Sequence, residues 1–311
     1  MGATCDALGG GPCGTRTLRR LAVPALLALL AACLVLARAA PAAPSRPFLW
    51  TVSTPSATVH LLGSIHLATP DIYPLDPRIE SAFQASDTLA LELPLDPAAQ
   101  VQTAARLAEA GTYPPGDSLD LHLDRAPLEA LQQRLGKSGV AFATVRSQRP
   151  WFVALMLTLG EMQRLGFRPE LGVDLHFATR ARGQKRILAL ETVDEQVAIF
   201  AGMSDALQEQ MLKDSLERLD EVGEQLRRAL ALWRAGDAEG MYELLMGPMR
   251  GEFPEMYHRL VAERNRRMAA AIEGYLRGSG VTFVVVGSGH LGGPDGILQQ
   301  LRARGYTPTQ P

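Results

Sequence analysis

Cysteine is missing from most of this 311-residue chain: Cys5, Cys13 and Cys33 all lie near its start. The remainder can form no internal disulfide, hold no thiolate-bound metal and offer no cysteine nucleophile. Charge of one sign is lacking too. There are 31 Lys and Arg against 33 Asp and Glu, and without the first 39 residues the count is 27 against 32, a net charge of −5. A nucleic-acid binder usually carries a basic surplus, so nucleic acid is not an expected partner. Only one apolar run, near the start, reaches the length of a membrane span.

Several reaction signatures are also absent. Gly287-Ser288-Gly289-His290-Leu291-Gly292 has G-x-G-x-x-G spacing. The 19 residues after it do not supply the helix, strand and acidic residue that a dinucleotide site needs. No Lys completes a phosphate loop there. Val286 stands where a nucleophile elbow needs its first Gly. Ser64 and Ser288 are therefore expected to donate hydrogen bonds in turns rather than act as nucleophiles. The zinc-protease string H-E-x-x-H does not occur, and no solenoid repeat is visible.

The start of the chain reads as a leader. Arg16, Arg19 and Arg20 precede an apolar stretch from Leu21 to about Ala37, and Ala37-Arg38-Ala39 is a small-x-small cleavage pattern. Residues 1–39 are thus expected to be a secretory signal peptide, with 40–47 a short leader and 48–311 one domain. The expected location is periplasmic or secreted. Leu30-Ala31-Ala32-Cys33 also fits a lipobox, so the alternative is a lipoprotein anchored at Cys33. A membrane is a partner only in that case, or if the leader stays uncleaved.

Beyond the leader, two apolar runs, 48–52 and 58–62, predict a hairpin. Asp76-Pro77 and Asp96-Pro97 predict helix starts, with Asp as cap and Pro in the first turn. Short strands are expected at 88–93 and 186–191, and a last one at 281–286. Thr192-Val193-Asp194-Glu195 predicts a capping box. One long helix is expected over 204–233, a helix over 171–182 and a closing helix over 295–304. The layout is α/β: a mixed sheet built from the N- and C-terminal strand groups, with a long helical middle. The end strands must pair to bury their apolar faces, which lets their turns meet.

Two matched strings carry the candidate chemistry: Gly63-Ser64-Ile65-His66 and Gly287-Ser288-Gly289-His290. Each follows a strand, where a Gly lets the backbone turn and a His can project from a rigid edge. Glu92 sits inside the apolar run Leu89–Leu93, which is costly for a carboxylate unless it is paired or ligated. Glu191 ends a second strand, at a helix entrance whose dipole also favours an acid. Arg264 lies on a helix and could clamp a carboxylate or carbonyl oxygen, though the surface is its default place. Glu263 and Arg267 read as a solvated i,i+4 pair. The other histidines, 60, 122, 176 and 258, have no ligand-like spacing.

His66, His290 and Glu92 are candidate ligands for a divalent ion, and Glu92, Glu191 and Arg264 candidate catalytic residues. Imidazole plus carboxylate without thiolate suits Mn, Co or Zn. Such an ion would bring the pKa of a bound water near neutrality, pointing to a hydrolase. Two alternatives stay open: a non-catalytic exported binder of peptide or glycan, and a metal-free esterase in which His and Glu act as base and acid.

The ordered set of motifs resembles the TraB/PrgY/GumN family. Its opening is Trp50, then Val59-His60-Leu61-Leu62-Gly63-Ser64-Ile65-His66, Tyr73-Pro74-Leu75 and Leu91-Glu92. Its middle and close are Ile187-Leu188-Ala189-Leu190-Glu191-Thr192 with Gln196, Glu263-Arg264-Asn265 with Met268-Ala269, and Val285 through Gly296. Ser64 stands where Thr is frequent. The resemblance spans about residues 48–305. It implies kinship with the animal Tiki proteins, metal-dependent proteases without H-E-x-x-H, and hence a peptide or protein substrate. By that resemblance His66 and His290 match the paired GxxH histidines and Glu92 the glutamate after the second strand.

Overall fold

The computed structural model describes residues 46–311. The expected signal peptide, residues 40–45 of the leader and Cys33 lie outside the described residues. Within them no helix is long and apolar enough to cross a membrane.

The chain opens with β1 (Leu49–Ser53) and β2 (Ala57–Ser64), the predicted hairpin, paired antiparallel. Helix α1 (Pro77–Gln84) follows, capped by Asp76, whose carboxylate accepts from Arg78 N. Strand β3 is Thr88–Leu91 and helix α2 is Pro97–Ala110, capped by Asp96. The helical middle continues with α3 (Arg125–Lys137), α4 (Pro150–Arg164) and α5 (Val173–Ala181). Strand β4 (Arg186–Ala189) interrupts it. Helix α6 (Val193–Ala201) starts on the predicted capping box: Thr192 accepts from Glu195 N and Glu195 from Thr192 N.

The long helix expected over 204–233 is two helices, α7 (Asp205–Arg218) and α8 (Val222–Ala235). A tight turn at Leu219–Glu221 separates them. It buries Leu219 and brings Asp220 to Arg134 at 2.6 Å. Next come α9 (Ala238–Leu245), α10 (Gly247–Glu252) and α11 (Pro254–Tyr257). A wide π turn at His258–Ala262 leads into α12 (Glu263–Arg277). Strand β5 is Gly280–Gly287, and α13 (Ile297–Ala303) closes the chain. The last helix starts two residues later than expected. Asp295 instead serves the preceding turn, its carbonyl accepting from Asn265 and Gln300.

The five strands form one mixed sheet in the order β1-β2-β5-β3-β4. Strands β2, β5, β3 and β4 run parallel, and only β1 is antiparallel. Strand β5, the last in sequence, is central and buried from Thr282 to Gly287. Its Val284, Val285 and Val286 join Leu61, Leu62, Leu89 and Ala90 in the main core, with Met268, Ile272 and Leu276 of α12. A smaller core lies between α3, α4 and α7, around Leu131, Val153 and Leu212. The free side of β1 is covered by the C-terminal tail: Thr51 and Thr309 exchange backbone hydrogen bonds of 2.8 and 2.9 Å.

Candidate active site

Parallel strands deliver their carboxyl ends to one side of the sheet, where α/β folds bind ligands. Register puts Ser64 of β2 beside Gly287 of β5, and Leu91 of β3 beside Val285. Glu92 is one step past β3. Leu190 N and Glu191 N donate to the carbonyls of Leu91 and Glu92, so Glu191 follows β4 to the same place. His66, His290, Glu92 and Glu191 thus converge there.

The glycines act differently from their expected role. Gly63 is still within β2, and a Cβ on it would lie 2.2 Å from the Phe48 ring. Gly287 has φ −52°, open to any residue. Its hydrogen matters because of what surrounds it. A Cβ would lie 3.2 Å from His66 Nε2, 3.3 Å from Glu92 Oε1 and 3.5 Å from His290 Cδ2. Ser64 also departs from expectation. Its Oγ is buried and has no hydrogen-bond partner. The turn is held through Gly63, whose carbonyl accepts Trp233 Nε1 at 2.7 Å.

Arg264 is the hub, and it is buried rather than on the surface. Its Nε lies 2.9 and 3.1 Å from the two Glu191 oxygens, and its Nη2 lies 2.7 Å from Glu191 Oε2 and 2.9 Å from Glu92 Oε2. Its Nη1 donates to Leu260 O in the π turn at 3.3 Å and to His290 Nε2 at 3.1 Å. Such a fork holds two carboxylates in fixed directions, which an ammonium could not do. Glu191, its side chain 1% exposed, also accepts from Gln196 Nε2 at 3.2 Å. Arg267 keeps its expected neighbour Glu263 at 3.8 Å and also reaches Glu191 at 3.5 Å. Burial works against the charge on Arg264, but the two glutamates more than restore it, and its pKa is raised.

His290 is locked on both ring nitrogens. Asn265 Oδ1 can only accept, so Nδ1 carries the proton across that 2.6 Å bond and Nε2 is the lone pair facing Arg264. Asn265 is held in turn by Asp295 O at 3.0 Å. Burial, with Arg264 beside it, drives His290 down to about 4 against the pull of Glu92. The ring is neutral at pH 7.

His66 has the opposite surroundings. Its side chain is 53% exposed, and its Nδ1 sits 2.8 Å from Asp174 Oδ2. Desolvation opposes its charge, yet Asp174, helped by Glu92, raises it to about 9. Asp174 lies in the first turn of α5, and the sequence reading did not include it. Gly172 just before it packs against the turn: a Cβ there would lie 2.4 Å from the His66 carbonyl oxygen. Glu92 is itself held at about 2. Burial raises it, but His290, Arg264 and His66 outweigh that, aided by a hydrogen bond from Gly287 N to Oε1. His66, Asp174 and Glu92 all line a cavity of about 510 Å³.

Both nitrogens of His290 are engaged, and the Arg264 guanidinium lies between Glu92, Glu191 and His290. Among the described residues no three His, Asp or Glu side chains converge as a metal cage. The donor set arranged this way does not fit a three-ligand ion. The remaining histidines lie apart, as with His60, bonded to Thr51 across the hairpin at 2.9 Å.

The molecule is thus an α/β protein whose mixed sheet carries an arginine-clamped pair of glutamates beside two strand-end histidines. The chain belongs to the TraB/PrgY/gumN family, whose model matches residues 48–310. It is similar to the uncharacterized protein YbaP of Escherichia coli (strain K12), 25% identical over 244 residues, 78% of this chain and 87% of that protein. YbaP of Shigella flexneri matches to the same extent. No solved structure matches the chain.

Proposed function

We propose that this protein is a hydrolase of ester or amide bonds in which His66 is the general acid and Glu92 the general base. One observation carries the reading: a histidine paired with Asp174 and a carboxylate aimed by Arg264 border the same Gly287 gap and line one cavity. Their resting protonation suits these roles. With His66 near 9 and Glu92 near 2, the acid is protonated and the base ionised at neutral pH.

The water oxygen bonds to the substrate carbonyl carbon while Glu92 takes its proton. A carboxylate held near 2 is a weak base, so it orients the water and accepts the proton only as the tetrahedral carbon forms. His66 Nε2 then gives its proton to the leaving oxygen or nitrogen as the bond to carbon breaks. The products are a carboxylic acid and an alcohol or amine, and the proton on Glu92 returns to His66 through solvent. Arg264 and His290 are positioning residues, holding Glu92 in its direction. The leader read from residues 1–39 supports an exported setting for this reaction.

A second reading keeps a divalent ion, Mn, Co or Zn. It is favoured by His66 Nε2 and Glu92 Oε1 bordering one gap, and it requires His66 to give up its proton. The test is hydrolysis of p-nitrophenyl esters and peptide p-nitroanilides by the purified protein, in EDTA and after incubation with each ion, beside His66→Ala. Activity that survives EDTA and falls roughly 10²- to 10⁴-fold in His66→Ala supports the acid–base reading. Activity lost in EDTA and restored by one ion, with an equivalent retained in elemental analysis, replaces it with the metal reading. No hydrolysis of any substrate by folded protein removes both and leaves the sequestering binder.

A further inference from the structure

We infer that the cavity beside His66 and Glu92 is an acyl site, built for an unbranched aliphatic chain on the carbonyl side of the scissile bond. The chemistry of that bond rests on the hydrolase reading; the binding of the chain does not. The walls come from four helices and a strand end: Leu107 of α2, Leu155 and Leu159 of α4, Leu175 of α5, Phe200 of α6 and Leu91 of β3. All but Leu91 are only partly buried, so large apolar side chains face an open volume of about 510 Å³. Covering them removes apolar surface from water.

The polar groups in the wall point the same way. Thr103 Oγ1 already donates to Ala99 O at 2.8 Å, and Gln100 Nε2 to Leu95 O at 2.8 Å. Gln196 Nε2 is turned to Glu191 at 3.2 Å. A peptide main chain drawn into this space would place its N–H and C=O groups against leucines, which is costly. A hydrocarbon chain carries no such groups. The lining contains no Lys or Arg, so an anionic tail finds no partner. Its charged members, His66, Asp174 and Glu92, already form the reacting cluster.

The experiment uses the purified protein and p-nitrophenyl esters from acetyl to decanoyl. Alongside it, decanoate, butyrate and N-acetylleucine amide are titrated by calorimetry. The expected result is a kcat/KM that climbs roughly three- to fourfold per added CH₂ until the cavity fills, with decanoate bound more tightly than butyrate. Leu159→Trp and, on the facing helix, Leu107→Trp fill the space, and each is expected to collapse the decanoyl-to-acetyl ratio. Should both variants fail to fold, the chain-length series and the titration decide on the wild-type protein alone. Decanoate binding without hydrolysis supports the acyl site while sinking the hydrolase reading. Hydrolysis with a flat chain-length series overturns the acyl site while sparing the hydrolase. Binding of N-acetylleucine amide but not decanoate overturns it in favour of a peptide.

Discussion

His66 and His290 close the same four-residue motif on neighbouring parallel strands, and the fold treats them in opposite ways. His66 is half in solvent beside an unshared carboxylate and is held protonated, near 9. His290 is 8% exposed, bonded on both nitrogens, beside a guanidinium, and held neutral, near 4. The motif sets where each ring leaves the sheet. The neighbours, brought from α5 in one case and α12 in the other, set what each ring can do. Their linkage to stability runs in opposite windows as well. The His66 contribution is full below about 6.5 and is lost as pH rises through about 9. The His290 contribution is full above about 6.5 and is lost as pH falls through about 4.

The sharpest break in this contrast is expected from Arg264→Met, which removes the partner that only His290 has. It leaves Glu92 without its arginine and Glu191 with only the longer contact to Arg267 at 3.5 Å, and such a loss costs about 3–5 kcal/mol. Urea denaturation should show that drop, and a change under ~1 kcal/mol would mean that the glutamates are not held as described. Gly287→Ala is expected to act on the reaction more than on the fold. Its methyl would enter the space between His66 Nε2 and Glu92 Oε1, and a displacement of that size can cost about 10² in kcat/KM. An unchanged rate would remove the gap from the mechanism.

Asp174→Asn makes the two histidines more alike. Without the carboxylate, His66 returns toward its ordinary 6.5, so its acid form falls to about a tenth at pH 7.5. The pH–rate profile of the wild type is expected to hold until about pH 9. In the variant the decline moves down by up to about two and a half units, with full activity kept at pH 5.5. Superimposable profiles would show that His66 is not the acid.

Much of this was legible in the sequence, for local reasons. The hairpin, the Asp-Pro helix starts and the Thr192–Glu195 box depend on neighbours within a few residues. Pairing of the end strands followed from their need to bury apolar faces. Arg264 and Asp174 were harder to place because each is a polar residue at the end of an apolar stripe. On α12 the buried positions Met268, Ala269, Ile272 and Leu276 extend back one turn onto Arg264 and Asn265. On α5, Phe177, Ala178 and Ala181 are buried, and one turn earlier on that face stands Asp174. A helical face carried one turn past its last apolar residue would have pointed at both. No local signal showed that Arg264 joins the glutamates, since that depends on Glu92 and Glu191 arriving from separate strands.

The place of β5 bears on how the molecule comes into being. Chains are synthesised from the N-terminus, and the strand that fills the middle of the sheet is the last one made. Until it emerges, the β1–β2 hairpin and the β3–β4 pair have no strand between them. Gly287 and His290 emerge with it, so the nascent protein lacks part of the candidate site until β5 and its following turn have been made. The two strand pairs therefore join only through a strand made after both of them, and the site at their ends is completed by that same late segment.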